Sequence, residues 1–304
     1  MKRILRALAA GLLIFLCSAE FTAVLAETDP VSAVREETPE PPKEDPTGIL
    51  YEMNFYSEGF FGYGEEGNFR QWSIAHFAPI LLTVGLIIAV YKNRETIRKS
   101  RYEEDFRFGL VAVMIICEMS YFWRLLYCGP ADVTQHNMLD KLPLQVCQWT
   151  LLLTSLMAAK KSKRLFSVCF FLTMTVGLLP LLFPAVITIA GPTYYRYYQF
   201  WGEHLLPIFT VYYMMFVHNM KVKFIGTTGA AVMLVMLAIP AIYVNRAVPS
   251  ANYLYLKPGQ YAMLDFLPKS EWLMLCLYAA VLMMLCAIVW KLYQLITSRH
   301  GAKA

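Results

Sequence analysis

The sequence predicts an all-α membrane protein: a polytopic bundle of about seven transmembrane helices after an N-terminal signal or anchor segment. Of the 304 residues, 58% are hydrophobic and only 16% are charged, and the mean hydropathy is +0.45. These values disfavour a water-soluble globular domain. Several apolar runs approach the roughly 20 residues that a helix needs to cross a hydrocarbon core. Helices are the expected spanning elements because they satisfy their own backbone hydrogen bonds in lipid.

Residues 1–26 have the pattern of an export signal. A basic start is followed by an apolar middle and by the sequence Val-Leu-Ala that ends at Ala26. This pattern predicts a cleaved signal peptide, and an uncleaved first helix is the alternative. Residues 27–48 are rich in Glu, Asp and Pro, so we expect them to form a disordered exported tether. Residues 49–71 then form an exported segment before the first helix of the membrane domain.

The membrane domain is predicted at residues 72–295, and residues 296–304 form a short cytoplasmic tail. Pro180 and Pro184 should kink the fourth span, and Pro207 lies near the start of the fifth. Kinks of this kind open cavities inside a bundle. The apolar runs place the seven spans at residues 72–91, 106–126, 142–159, 165–189, 200–218, 222–244 and 271–294.

The basic residues predict the orientation of these spans. Lys and Arg cluster in alternate connections, for example at Lys92–Arg101 and Lys160–Arg164, whereas the other connections contain isolated basic residues. Cytoplasmic connections are the richer ones in membrane proteins, so the clustered set faces the cytoplasm. We therefore expect a multi-pass plasma-membrane protein with its tether outside and its C-terminus inside. The net charge of +5 reflects these clusters, and no nucleic-acid partner is expected.

This topology places three reactive side chains at one depth near the outer surface. His76, Cys147 and His204 each lie about one turn inside a span that enters from outside. A cysteine thiol is a good nucleophile toward acyl groups when a histidine takes its proton, so Cys147 with His204 or His76 is a candidate catalytic pair. The alternatives are apolar filling for the cysteine and interfacial anchoring for the histidines. A disulfide between Cys147 and Cys128 would remove the nucleophile.

Other residues at this level are candidates for a lipid headgroup pocket. The second span ends with Trp123 and Arg124, and a guanidinium matches phosphate oxygens in its fork geometry. The outer connection after the sixth span supplies Asn252 and Tyr253, and Gln145 lies just before the candidate nucleophile. Membrane phospholipids are therefore the expected partners, while the oligomeric state is open.

The sequence offers little support for a metal or a cofactor. Its seven cysteines show no CxxC spacing, and no third ligand accompanies the two histidines, so no metal site is predicted. Glu203 precedes His204 and points roughly 100° away on a helix, so we do not expect it to orient that ring. No GxGxxG or P-loop motif is present, and no nucleotide cofactor is expected.

Four short motifs resemble those of a known family. They are FRQWSIAH (Phe69–His76), LPLQVC (Leu142–Cys147), FWGEH (Phe200–His204) and ANYLYL (Ala251–Leu256). Their order and spacing resemble the YwaF-like integral membrane proteins, which are grouped with the transmembrane protein 164 acyltransferases. The resemblance covers roughly residues 69 to 295 and excludes the signal and the tether.

The resemblance implies a membrane-embedded acyltransferase that acts on phospholipid acyl chains at the outer leaflet. The cysteine of the family's LPLHLCD-type motif, its nucleophile, falls on Cys147, and its histidine partner falls on His204. The neighbouring family His and Asp are replaced by Gln145 and Gln148, and glutamine does not act as a base. A non-enzymatic lipid sensor, transporter or scaffold is therefore the alternative function.

Overall fold

The computed structural model describes residues 60, 69, 71–128, 142–182, 191–248, 251–257, 268 and 270–301. For residues 121–128 and 299–301 it describes the helix but not the side chains. These ranges contain helices, turns and irregular segments, and no strand occurs in them. The predicted signal at 1–26 and the predicted tether at 27–48 lie outside the described residues.

Eight α-helices and two short 3-10 helices make up the described chain. The α-helices are α1 (Ile74–Lys99), α2 (Glu103–Cys128), α3 (Val146–Lys160), α4 (Lys163–Met174), α5 (Leu179–Leu182), α6 (Tyr195–Val217), α7 (Gly226–Ala247) and α8 (Glu271–Gly301). The 3-10 helices are Val176–Leu178 and Tyr253–Tyr255. Each predicted span coincides with a helix, and the fourth coincides with the broken series from α4 to α5. The predicted all-α class therefore describes the fold correctly.

Three described helices, α1, α7 and α8, are long and apolar enough to cross a membrane. A fourth crossing is obtained if α4 and the segment Val176–Leu182, which are bent by 42°, form one span. The break lies at Thr175, whose backbone is not helical, and the predicted kink residue Pro180 follows one turn later, where it cannot donate a hydrogen bond to the Val176 carbonyl. The seven-span count stays a prediction, since α3 has only 15 residues and α2 and α6 carry several polar side chains.

Helix α6 lies at the centre of the described bundle. It packs against α1, α2, α3 and α4, and most of its residues are buried, among them Phe200, Val211 and Met214. A helix that is apolar on all sides is expected in such a position. The polar residues of α6 are therefore carried into the interior, where they require partners from the surrounding helices.

Helices α4 and α7 approach each other closely because α7 begins with glycines. A Cβ atom on Gly226 would lie 2.6 Å from the Ser167 backbone, and one on Gly229 would lie 2.5 Å from Val168. Neither distance leaves room for a side chain. The close contact positions α4, and through it the bend that follows Met174.

A buried ionic cluster joins α2, α3 and the end of α6. Glu103 accepts hydrogen bonds from His218 Nε2 at 2.7 Å and from the Tyr213 hydroxyl at 3.1 Å. Its second carboxylate oxygen lies 3.4 Å from Lys161 Nζ. Arg107, which is 1% exposed, donates to the carbonyl of Ala158 at 2.9 Å. Arg107 also donates to the Ala159 carbonyl at 3.1 Å, and it thereby supplies donors to the last carbonyls of α3, which lack intrahelical N–H partners one turn further on.

The partners of Glu103 also shift the pKa of its carboxyl group. Burial raises the pKa of this carboxyl, but the hydrogen bond and charge of His218, together with Lys161 and Tyr213, outweigh burial and hold the pKa below its usual value. A carboxylate of this kind stabilises the fold above its unfolded pKa. The contribution is lost as the pH falls through the folded-state pKa.

We predict that Glu103→Gln lowers the free energy of unfolding by about 3 kcal/mol, because the amide leaves the buried Arg107 guanidinium, 3.3 Å away, without its counter-charge. Thermal unfolding of the full chain in detergent micelles at neutral pH measures the effect. Glu104→Gln is the matched control, since the Glu104 side chain is 67% exposed. In the wild type the melting temperature should fall further between neutral pH and about pH 3 than in Glu103→Gln, because the lowered folded-state pKa of Glu103 is crossed only below the usual glutamate value of about 4.3. Equal acid sensitivity of the two proteins would contradict this account.

Candidate functional site

Cys147 lies in the first turn of α3 and carries a free thiol. The thiol is therefore available as a nucleophile, whereas the side chain of Cys128 is not among those described. The start of the helix is held by two glutamines: the Gln145 backbone N–H donates to Gln148 Oε1 at 3.2 Å, and Gln145 Oε1 accepts from the Leu254 N–H at 3.2 Å. The residues that replace the family's His and Asp thus fix the backbone around the thiol.

Helix α6 brings two further ionisable side chains to this thiol. The sulfur of Cys147, a carboxylate oxygen of Glu203 and a ring nitrogen of His204 all lie within 4.8 Å of one another. Glu203 and His204 are buried, whereas Cys147 is partly exposed. Of the three candidates predicted at one depth, the structure brings Cys147 and His204 together.

Glu203 takes part in the site through the thiol. Consecutive residues on a helix diverge by roughly 100°, so Glu203 was not expected to orient the His204 ring, and the hydrogen bond of that ring goes to the Phe200 carbonyl. The first turn of α3, however, lies close to both side chains, so the Cys147 sulfur is within 4.8 Å of a Glu203 carboxylate oxygen and of a His204 ring nitrogen. The angle between Glu203 and His204 limits direct contact between these two side chains. A third residue on another helix can still lie close to both.

The hydrogen bond made by His204 defines its tautomer. Nδ1 lies 2.8 Å from the carbonyl oxygen of Phe200, and a carbonyl only accepts, so Nδ1 carries the proton. In the neutral ring Nε2 then keeps its lone pair. Nε2 is buried, and among the described residues it has no hydrogen-bond partner. The ring is therefore oriented as a base by the backbone of its own helix.

Amide side chains and a second carboxylate lie next to the cluster that Cys147, Glu203 and His204 form. Glu203 Oε2 accepts from Gln199 Nε2 at 3.0 Å and lies 3.8 Å from the Arg196 guanidinium. On α2, Glu118 Oε1 accepts from Gln148 Nε2 at 3.1 Å. The sequence analysis missed Glu118, although one acidic residue within the apolar run of the second span is a signal of function. The pair of Gln148 and Glu118 joins α3 to α2, and hydrogen bonds between Gln199 and Cys117 join α6 to α2.

His76 does not belong to this cluster. Its Nδ1 accepts from the Trp72 N–H at 3.1 Å, and its Nε2 donates to the Leu181 carbonyl at 2.8 Å. The fully buried ring also stacks on Phe77 and lies 5.7 Å from the Trp201 ring. Both ring nitrogens are engaged, so His76 ties the start of α1 to α5.

The predicted headgroup residues have structural partners or lack described side chains. The Asn252 side chain makes two hydrogen bonds to the Lys257 backbone, at 2.9 and 3.0 Å. The Tyr253 backbone exchanges two hydrogen bonds with the Asn245 side chain, at 2.7 and 2.9 Å. These contacts shape the 3-10 turn, to which Gln145 also binds. Two further candidates lie in α2 where side chains are not described: Trp123 and Arg124. A headgroup-binding role for these residues stays a prediction.

Comparison with known proteins identifies one matching family. The TMEM164 family matches residues 69–290, a range that holds helices α1 to α7, most of α8, and all three members of the Cys147 cluster. Neither the curated proteins nor the solved structures that were compared gave a match. The match covers well over half of the chain and leaves out the predicted signal and tether.

The two histidines should differ in their effect on thiol reactivity. We predict that His204→Gln slows alkylation of Cys147 by about 10-fold or more, because the base beside the thiol is lost. His76→Gln should leave this rate within about twofold, since its ring bonds elsewhere, but should lower the melting temperature. A neutral maleimide and peptide mapping by mass spectrometry measure the rate at Cys147. Equal slowing in both variants would argue against a specific role of His204.

Proposed function

The chain belongs to the TMEM164 family, and from this premise we propose that it is a cysteine-dependent acyltransferase acting on phospholipid acyl chains. Its family and its long apolar helices make it a multi-pass membrane protein. The observation that carries the proposal is the separation of at most 4.8 Å between the Cys147 sulfur and a His204 ring nitrogen. A thiol and a base at this distance, with access from lipid, are the groups that acyl transfer requires.

The first half-reaction acylates the enzyme. His204 Nε2 takes the proton of the Cys147 thiol, and the thiolate attacks the ester carbonyl carbon of a phospholipid. The new C–S bond forms as the ester C–O bond breaks, and His204 returns the proton to the departing alkoxide. The products are a thioester on Cys147 and a lysophospholipid with a free hydroxyl group.

The second half-reaction transfers the acyl chain. A hydroxyl group of a second lipid gives its proton to His204 as its oxygen attacks the thioester carbonyl. The C–S bond breaks, and the proton passes from His204 to the released sulfur of Cys147. No oxidant, metal or nucleotide is consumed, because one ester bond replaces another.

Glu203 and the Phe200 carbonyl compensate for the family residues that are absent at Gln145 and Gln148. The Phe200 carbonyl fixes the proton on His204 Nδ1 at 2.8 Å, which leaves Nε2 free to act as the base. The Glu203 carboxylate stabilises the imidazolium that forms after proton transfer, as an acidic partner does in other nucleophile–histidine pairs. Arg196 lies 3.8 Å from Glu203 and places a positive charge beside that carboxylate.

The same proposal locates the site in the outer leaflet of the plasma membrane. Cys147 lies in the first turn of α3, and the basic residues Lys160, Lys161, Lys163 and Arg164 lie at its far end. The basic end faces the cytoplasm by the distribution rule for charged connections. The thiol end then lies near the outer surface, on the side of the exported tether.

Replacing Cys147 by Ala should abolish acyl exchange. Lipidomic comparison of membranes that contain the wild type with membranes that contain Cys147→Ala measures phospholipids and lysophospholipids. We predict that the acyl redistribution caused by the wild type falls by about 100-fold or more in the variant, since the covalent route is lost.

Cys276→Ala is the matched control, because Cys276 is an exposed cysteine on α8. It should retain the wild-type lipid profile. Identical profiles for wild type, Cys147→Ala and empty membranes would reject the enzyme and favour the non-enzymatic sensor, transporter or scaffold.

A further inference from the structure

The three side chains that meet at the start of α3 are also the three ligand types that zinc uses in proteins. Zinc binds cysteine sulfur at about 2.3 Å and histidine nitrogen or carboxylate oxygen at about 2.0–2.2 Å. In a tetrahedral site these bond lengths place the ligand atoms about 3.4–3.7 Å apart. The atoms of Cys147, Glu203 and His204 already lie within 4.8 Å of one another. A contraction of about 1 Å, within reach of side-chain rotation, completes three-ligand coordination.

The hydrogen bonds made by His204 and Glu203 are those that metal ligands typically make in proteins. A metal-bound histidine donates its other ring N–H to a carbonyl or carboxylate, and a metal-bound carboxylate is itself hydrogen-bonded. His204 Nδ1 donates to the Phe200 carbonyl, and Glu203 accepts from Gln199. His204 is 4% exposed, and its Nε2 lacks a hydrogen-bond partner in the described part of the chain. The lone pair of His204 Nε2 is therefore available to coordinate a metal ion.

Charge balance favours a divalent cation at this point. A Cys147 thiolate would lie beside the Glu203 carboxylate, which has the Arg196 guanidinium 3.8 Å away. A divalent cation bound between the thiolate and the carboxylate supplies positive charge to these two anionic ligands. The compensation matters here because an uncompensated buried charge costs several kcal/mol.

On these grounds we propose that Cys147, Glu203 and His204 form a reversible binding site for one Zn²⁺ ion, and that occupation of this site blocks the thiol. Thiolate and imidazole ligands select zinc over Mg²⁺ and Ca²⁺, which prefer oxygen. Binding displaces the thiol proton to solvent and forms the zinc–sulfur bond. The sulfur and the His204 lone pair are then both coordinated, so neither nucleophile nor base remains. The blocking of catalysis rests on the proposed acyltransferase function, whereas the zinc site itself does not.

Metal binding to the full chain in detergent micelles tests the site. After treatment with a chelator, the wild type should bind one equivalent of Zn²⁺ in equilibrium dialysis. Cys147→Ser, Glu203→Gln and His204→Gln should each weaken binding by about 10-fold or more. The matched controls are Cys276→Ser and His218→Gln, which change a cysteine and a histidine outside the cluster and should bind like the wild type. Binding that is equally strong in Cys147→Ser would overturn the proposal.

A spectroscopic readout separates coordination by sulfur from adventitious binding. Co²⁺ in place of Zn²⁺ should give a thiolate charge-transfer absorption in the wild type and in Cys276→Ser. The absorption should be absent in Cys147→Ser. Melting temperatures of the variants show whether each is folded, and Glu203→Gln keeps the shape of the side chain. An unchanged absorption in Cys147→Ser would assign the metal to another cysteine and refute the site.

Protection of the thiol tests the blocking effect without any lipid substrate. Saturating Zn²⁺ should slow maleimide labelling of Cys147 by about 10-fold or more, and a chelator should restore the rate. Equal protection in Glu203→Gln and His204→Gln would mean that the cysteine alone binds the metal, which would overturn the three-ligand site. Zinc binding with no acyl exchange in the lipidomic comparison would reject the proposed function and keep the site. Acyl exchange without zinc binding would do the reverse.

Discussion

The hydrogen bond of 3.1 Å between Gln148 and Glu118 joins α3 to α2 where both side chains are buried. A polar group in apolar surroundings costs several kcal/mol unless it is paired. This pair, together with the hydrogen bonds between Gln199 on α6 and Cys117 on α2, therefore decides which faces of the three helices meet. Cys147, next to Gln148 in the chain, is positioned as a consequence. The arrangement of the reactive groups follows from the need to pair buried polar side chains.

The same three helices are held together again at their other end. Glu103 lies fifteen positions before Glu118 on α2, a distance of about 22 Å along a helix. There it binds His218 beyond α6 and Lys161 beyond α3. Two polar clusters thus fix α2, α3 and α6 at opposite ends, with apolar packing between them. The rigidity of this unit keeps the Cys147 sulfur and the His204 ring at a defined separation.

The sequence predicted the helices well and the side-chain partners only in part. Long apolar runs specify helices regardless of their neighbours, so each predicted span coincides with helical structure. Apolar runs do not determine the number of membrane crossings equally well. Helix α3 is short, and α2 and α6 carry polar side chains and lie among other helices. His76 was grouped with Cys147 because both are predicted at the same depth in the membrane. Depth does not specify the direction in which a side chain points. Rotation about α1 turns the His76 ring toward Leu181 instead.

Glu118 was missed, and the proximity of Glu203 to the thiol was not foreseen, for a related reason. The partner of a buried carboxylate is set by the helix that packs against it, and the periodicity of one helix contains no information on that neighbour. Gln145 and Gln148, in contrast, were noticed as departures from the family motif, but their effect on the backbone at the start of α3 depends on the turn at Leu254. Gln145 and Gln148 replace catalytic groups of the family motif, but through tertiary contacts they hold the backbone around the Cys147 thiol.

The central claim is that Cys147 carries an acyl chain during turnover. The most direct measurement is the intact mass of the purified full-length protein after incubation with phospholipid vesicles. The wild type should gain the mass of one acyl chain, and the gain should disappear on treatment with hydroxylamine, which cleaves thioesters. Cys147→Ala should show no gain. An acyl adduct that persists in Cys147→Ala, or no adduct in the wild type while acyl exchange proceeds, would contradict the account.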